Sequence, residues 1–438
     1  MSTYIAEGLP YMIVRFLSGV YFTDIGMKEA VIGYLNFLGI PWNFKFLWAP
    51  FVDFYGTRRG WMVALQLAIG AMVGVVAVLT GFGPHAQSTA GSQPIAKLEW
   101  ADLAHVIDPT TGLSHQMIIW LIIGALLVLA FLSATNDVAI DAFYIEALPS
   151  RRDQAAYSGL RTMAYRIAMV IARVVLISFA WSINFALGAA IMLACGVFHV
   201  FVPRRSQAVV ATLERPRLLT HFGRAFAAYL QQPRLLTVLL FIATYKLGDE
   251  LLFALGSTFL LREIHITKAQ LSLLAGFVGL ATMVAGAMLG AYYIKRVGFR
   301  RAIWPLTLGM NLNIWVYVWL AWAKPNPATT MGFVTVAVTH AYENFARGLG
   351  DAVLTVFLLY VCKPNFKATH YAIGSAIMSI GSNVAGGFTG VLVERMGYVN
   401  LYILAFLSSI PAMLLIFRLP LREMEATANP PAAGAASG

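Results

Sequence analysis

Apolar residues run through this chain in stretches of about 20, the length a helix needs to cross roughly 30 Å of hydrocarbon. Glycine, proline or clustered charge breaks the stretches. They fall near 4–24, 30–52, 61–83, 116–146, 157–181, 183–203, 236–261, 269–294, 302–322, 331–361, 370–393 and 398–418. The pattern predicts twelve spanning helices, called spans 1 to 12 below. Only helices or closed barrels satisfy their backbone in lipid, and these runs are too long and too evenly apolar for barrel strands. The expected class is an all-α membrane protein seated in the lipid bilayer.

Composition agrees. Of 438 residues, 59% are apolar and 12% charged, where a soluble protein carries about 25% charge, so a soluble multidomain enzyme is excluded. The net charge of +11 raises the question of nucleic acid, and the placement of the charges answers it. With a cytoplasmic N-terminus, eighteen Lys and Arg residues fall in cytoplasmic loops and tail: Arg58, Arg59, Arg151, Arg152, Arg204, Arg205, Arg215, Arg217, Arg224, Arg234, Lys295, Arg296, Arg300, Arg301, Lys363, Lys367, Arg418 and Arg422. The opposite side holds six: Lys28, Lys97, Arg262, Lys268, Lys324 and Arg395. This is the positive-inside asymmetry, so the basic balance reports topology, puts both termini in the cytoplasm and argues against nucleic acid as a partner. Cys195 and Cys362 make no disulfide framework and lack metal-ligand spacing. The first apolar stretch lacks a basic leader and contains Glu7 and Arg15, so it reads as a retained helix.

Two connections are long. Residues 84–115 form a polar loop on the outer side, and 204–235 a basic stretch expected to lie as an amphipathic helix on the cytoplasmic face. The latter separates a six-helix half, 1–203, from a second, 236–425, and 426–438 reads as a disordered tail rich in Ala, Pro and Gly. The halves are similar in sequence. APFVDFYGTRRGW after span 2 has a counterpart in GAYYIKRVGFRRAIW after span 8, about 241 residues later, and EALPSRRDQAAYSGLRTM has one in VCKPNFKATHYAIGSAIM. Two pseudo-symmetric six-helix halves resemble the major facilitator fold, with a substrate site between them at mid-membrane. Gly70/Gly74, Gly286/Gly290 and Gly386/Gly390 have the spacing of close helix contacts.

The candidate chemistry lies in charges inside the spans. Seven are basic, Arg15, Lys45, Arg161, Arg166, Arg173, Lys246 and Arg347, and the acids include Glu7, Asp137, Asp141, Asp249, Glu250, Glu343 and Asp351. Each costs about 2.5–3.5 kcal/mol at the bilayer centre on insertion scales, so they must face a polar cavity or one another. Glu343, Arg347 and Asp351, spaced i, i+4, i+8, either neutralise each other along span 10 or serve the site. Asp137 and Asp141 are like charges one turn apart with no base nearby in sequence, the arrangement that lets one hold a proton, so they are the proton-coupling candidates. Arg166 and Arg173 share a helical face, Arg161 is offset from it, and an anionic cargo or the Asp137/Asp141 pair would account for them. Tyr11, Trp42, Tyr144, Tyr165, Tyr245 and Tyr342 either line a ring-binding surface or pack. Asp53, Arg58 and Arg59 resemble the loop that major facilitators place after span 2, where a carboxylate and basic groups latch one conformation. There is no HExxH, no phosphate loop and no GxSxG, so an enzyme is not expected, nor is a metal or cofactor.

GLPY in span 1, FKFLWAPFVDFYGTRRGW, ATNDVAIDAFYIEALP ending span 4, YRIAM in span 5, YKLGDELLFALGSTFLLREI in span 7 and ENF in span 10 are similar to the AmpG muropeptide permeases. The resemblance implies a bacterial inner-membrane importer, expected to act as a monomer, that carries GlcNAc-anhydro-MurNAc, with or without peptide, into the cytoplasm for cell-wall recycling. It implies that the proton gradient is the driving force. Carried over by position, Asp137 and Asp141 match the family's span-4 acids, Arg166 its span-5 arginine, Lys45 its span-2 lysine, and Lys246 and Asp249 its span-7 pair. Lys45, Arg161, Tyr165, Arg166, Tyr245, Lys246, Asp249, Glu343, Arg347 and Asp351 are the candidate substrate-binding residues. Arg347 and Asp351 stand where the family has small uncharged residues, which leaves same-fold importers of siderophores or acetyl-coenzyme A as alternatives, with a membrane-embedded sensor or enzyme from another class.

Overall fold

A computed structural model describes residues 1–84, 97–147, 151–202, 215–232, 234–363 and 367–422. The tail from 423 and residues 85–96 of the expected outer loop lie outside the described residues, as do 203–214 of the connection between the halves. Among the described residues, six helices are long and apolar enough to cross a membrane: Arg58–Phe82, His115–Tyr144, Trp181–Phe201, Lys268–Val297, Thr330–Val361 and Thr369–Arg418. The last is two spans joined across a break at Gly397, whose φ of 75° a side chain would strain.

The remaining spans are helical but interrupted. Span 1 runs from Ser2–Met12 through a π turn at Ile13–Leu17 into Ser18–Asp24. Span 2 passes from Glu29–Tyr34 to Ala49–Phe54 by way of two 3₁₀ turns. Span 5, Arg151–Val170, ends in a π turn at Ile171–Val175, and span 8 holds another at Leu274–Val278. Span 7 is three pieces, Leu235–Tyr245, Leu247–Phe253 and Gly256–Arg262, and span 9 two, Phe299–Leu312 and Ile314–Ala323. Breaks of this kind survive in lipid only where protein or water satisfies the freed backbone groups, which places them around an interior cavity.

The core shows how the halves meet. Toward the face opposite the termini, one apolar cluster runs through both, with Leu17, Tyr21 and Phe22 of span 1 packed in the same body as Leu255, Phe259 and Leu261 of span 7. Toward the face that carries the termini, the core divides. One cluster there belongs to spans 1 to 5, with Tyr4, Met62, Ile140 and Ala164, and another to spans 7 to 12, with Phe241, Phe299 and Phe357. The molecule is therefore closed on the face opposite the termini and cleft on the terminal face.

The connection between the halves contains a helix at Arg215–Leu230. It docks on span 11, where the Tyr229 and His370 rings lie 5.2 Å apart and the Ala225 carbonyl is 3.0 Å from His370 Nε2. Large apolar side chains such as Phe201, Trp322 and Met288 point outward from the bundle, as lipid-facing residues must.

Candidate functional site

Spans 1, 2 and 5 of the first half and 7 to 10 of the second enclose a cavity of about 330 Å³. Its polar lining includes Tyr11, Arg15, Asn36, Tyr165, Arg173, Glu250, His340, Asn344, Arg347 and Asp351. Two of these arginines sit inside the π turns, Arg15 in Ile13–Leu17 and Arg173 in Ile171–Val175. A π turn adds one residue to the helical turn and so re-aims the side chains around it, a device common at functional sites. Arg15 donates from Nη1 to the Asn36 carbonyl at 2.6 Å, and Arg173 from Nη1 to the Ala275 carbonyl at 3.0 Å. Neither arginine has a carboxylate within 4.0 Å among the described residues, and Arg173 Nε is buried with no partner.

On the second half the cations are neutralised by neighbours across helices. Lys246 occupies the break between Leu235–Tyr245 and Leu247–Phe253, where its ammonium lies 2.8 Å from Asp249 Oδ2 and 2.6 Å from Asp351 Oδ1. Arg347 is 3.4 Å from Asp249 and 3.6 Å from Glu250, and its guanidinium lies 3.8 Å from the centre of the Phe253 ring. The spacing of Glu343, Arg347 and Asp351 admits pairing along span 10, but the ion pairs run to span 7 instead. Glu343 is buried and accepts from the Asn344 amide at 3.1 Å. His340 bonds with the Tyr317 hydroxyl at 2.9 Å.

On the first half the acids of span 4 acquire cations from other spans. Lys45 Nζ lies 3.6 Å from Asp137 Oδ2, and Arg161 Nη2 3.0 Å from Asp141 Oδ1. The Arg161 guanidinium also covers the Tyr4 ring at 4.6 Å and the Tyr144 ring at 5.8 Å. Glu7 is buried beside them. Asn136 fixes spans 1 and 4 together by donating to the Ala6 carbonyl at 3.0 Å.

The other candidates divide between cavity and frame. Tyr165 lines the cavity, whereas the Tyr245 hydroxyl is buried between the Gly350 carbonyl at 3.2 Å and Thr307 at 3.4 Å. Among the described residues, Arg166 donates from Nη1 to Met169 Sδ at 3.8 Å and has no carboxylate within 4.0 Å. Seven residues separate Arg166 from Arg173, which puts both on one face of a regular helix, but the π turn intervenes and Arg173 faces the cavity. Arg59 donates to the His199 and Val200 carbonyls of span 6, within its own half. Arg58 opens span 3, and the Asp53 side chain lies outside what is described.

The closed face holds a network that joins the halves. Arg262, at the end of span 7, is buried and donates to the Thr23 and Met27 carbonyls, both at 2.6 Å, and lies 3.4 Å from Glu29. Glu29, fully buried, also meets Lys97 at 2.9 Å. Lys268 pairs with Asp24 at 2.9 Å, and the Trp181 indole donates to the same carboxylate at 2.6 Å. Beside them, a Cβ at Gly390 of span 11 would fall on the Glu29 carbonyl, so this contact requires glycine. Among the described residues, no hydrogen bond or ion pair joins the halves nearer the terminal face than Asn36 to Gly386 and Arg173 to Ala275.

Comparison with known proteins agrees with this architecture. Residues 2–344 match the family model of the Major Facilitator Superfamily. The chain is 25% identical over 427 residues to the anhydromuropeptide permease of Escherichia coli (strain K12), covering 94% of this chain and 77% of that protein. In fold it is similar to a D-xylose-proton symporter, with a TM-score of 0.65 at 12% identity over 97% of each chain. It is also similar to a bacterial homologue of the lysosomal transporter Spinster in an inward-facing conformation, with a TM-score of 0.64 at 14% identity, covering 95% of this chain and 94% of that one.

Proposed function

The chain belongs to the Major Facilitator Superfamily and is a multi-pass membrane transporter, and from that premise we propose that it imports anhydromuropeptides across the bacterial inner membrane in symport with protons. Both termini then lie in the cytoplasm, the cleft face opens inward, and the closed face looks to the periplasm. A single chain encloses the cavity, consistent with a working monomer.

One observation carries the reading: among the described residues, Arg15 and Arg173 line the cavity with no carboxylate within 4.0 Å, while Arg347 beside them is neutralised twice. Two uncompensated cations cost about 2.5–3.5 kcal/mol each in the bilayer on insertion scales, and an anionic cargo offsets that cost on binding. Charge-assisted bonds to a carboxylate are the strongest these side chains make. The Arg173 bond to Ala275 crosses between the halves, so a cargo that draws Arg173 away from that carbonyl also loosens one half from the other. Kinship with an anhydromuropeptide permease supplies the cargo class: an amphipathic sugar bearing carboxylates, suited to a cavity of arginines, tyrosines and amides.

The test is uptake of radiolabelled anhydromuropeptide by proteoliposomes, with and without an inward proton gradient. Accumulation that depends on the gradient is the expected result. Failure by protein that is demonstrably folded, together with uptake of a siderophore or acetyl-coenzyme A, would replace the cargo and keep the fold.

A further inference from the structure

We propose that Glu7 is the carboxyl that carries the transported proton. Glu7 lies on span 1 with 9% of its surface exposed, and its Oε2 is buried with no hydrogen-bond partner. The charged and titratable groups around it are Tyr4 on its own span, Lys45 on span 2, Asp137 and Asp141 on span 4, and Arg161 and Tyr165 on span 5.

The two cations of this cluster are engaged elsewhere, Lys45 with Asp137 and Arg161 with Asp141. Three carboxyl groups therefore face two bases, and Glu7 is the one with no Lys or Arg within 4.0 Å among the described residues. A buried carboxylate left unpaired is strongly disfavoured, whereas the neutral acid is tolerated. Asp137 Oδ1 is also buried without a hydrogen-bond partner, its ion pair with Lys45 running through Oδ2, so the cluster has an unused acceptor and room for one more hydrogen. A proton on Glu7 brings the cluster to neutrality. Its release to water in the cleft leaves Glu7 ionised, with Lys45 and Arg161 within its group to receive the charge when the spans rearrange. One O–H bond forms on the closed-face side of the cycle and the same bond breaks on the cleft side.

This assignment rests on the proposed symport, and the experiment separates the two. Labelled anhydromuropeptide is followed in proteoliposomes in two modes, accumulation driven by a proton gradient and exchange at equal pH, for the wild type, Glu7→Gln and Glu343→Gln. Glu343 is the control because it too is buried with no cation within 4.0 Å among the described residues and, unlike His340, Asn344 and Arg347 of the same span, does not line the cavity. The expected result is that Glu7→Gln exchanges cargo as the wild type does but loses all accumulation above equilibrium, while Glu343→Gln still accumulates. Gradient-driven accumulation by Glu7→Gln overturns the assignment, and so does loss of exchange by a folded variant, which would make Glu7 a cargo ligand. Accumulation lost in Glu343→Gln alone moves the proton to the other half and also overturns it. A wild type that accumulates cargo with no dependence on the gradient instead refutes symport itself. Should Glu7→Gln not fold, Glu7→Asp decides: a shifted pH dependence of uptake supports the proposal and an unshifted one overturns it.

Discussion

The charged clusters on spans 1 and 4 and on spans 7 and 10 are built from similar residues and wired differently. In the second half, Lys246 stands on span 7 between Asp249 of the same span and Asp351 of span 10, within 2.8 Å of both. The first half has no cation on span 1 at this level. Tyr4 and Glu7 stand there, and the bases arrive from spans 2 and 5. A lysine that binds two acids from the middle is a staple. Acids whose partners come from separate helices can exchange them when those helices move, so the second half braces the bundle and the first is free to switch.

Removing the staple should have the largest effect. Lys246→Met leaves the buried Asp249 and the partly exposed Asp351 without their shared cation, and breaking a buried pair such as Lys246–Asp249 costs about 3–5 kcal/mol. Thermal unfolding in detergent should show it, and a variant as stable as the wild type would erase the contrast between the halves. Next in size is cargo binding. Each cavity arginine contributes a charge-assisted bond of about 1.5–3 kcal/mol, so Arg173→Ala and Arg15→Ala should each weaken anhydromuropeptide binding by roughly ten- to a hundredfold in Kd. Arg166→Ala, off the cavity, should change it little, as calorimetry would report; equal losses at 166 and 173 would return Arg166 to the site.

Asp137→Asn sharpens the comparison from the other side. It removes the partner of a half-exposed lysine rather than of a buried one, so it should alter gradient-driven accumulation more than stability, in contrast to Lys246→Met. Smallest is the outer loop. Asp108 accepts from the Thr110 and Thr111 amides and the Thr111 hydroxyl at 2.8–3.1 Å, and these bonds hold its carboxyl below the usual range. A lowered value means that its ordering effect is present at neutral pH and lost as pH falls through that value. Protection from hydrogen exchange at residues 108–114, relative to the intrinsic rate at each pH, should fall in acid, and Asp108→Ala should abolish the dependence while leaving transport unchanged.

Much of this was legible in the chain. The twelve apolar runs, the repeat and the intramembrane charges follow from composition and spacing, because lipid imposes length and penalises charge whatever the tertiary fold. Arg15 and Arg173 stood out as charges within spans, but their place in the cavity did not, since a π turn leaves no mark on a 3.6-residue pattern. The partners of Lys45, Arg347 and Asp351 were illegible for a related reason: they lie on other helices, and sequence shows only neighbours along one. Lys28, Lys97, Arg262 and Lys268 entered the topology count as loop residues. In the structure all four make ion pairs at the closed face, where a cation near a helix end finds acids brought by a different part of the chain.

The divided core of the terminal face also has an electrical consequence. With the cleft facing the cytoplasm, as proposed, water in it carries the potential of that side up to Arg15 and Arg173, while the Arg262 and Lys268 network keeps the opposite potential out. Nearly the whole membrane voltage then drops across that thin closed layer, and alternating the opening transfers both arginines from one side of the voltage to the other without moving them far. For each elementary charge this is worth about 2.3 kcal/mol per 100 mV. An interior-negative membrane should therefore hold the empty carrier with its cleft inward and slow its return. The return step should quicken on depolarisation, and an Arg15→Gln, Arg173→Gln double variant should lose that voltage sensitivity.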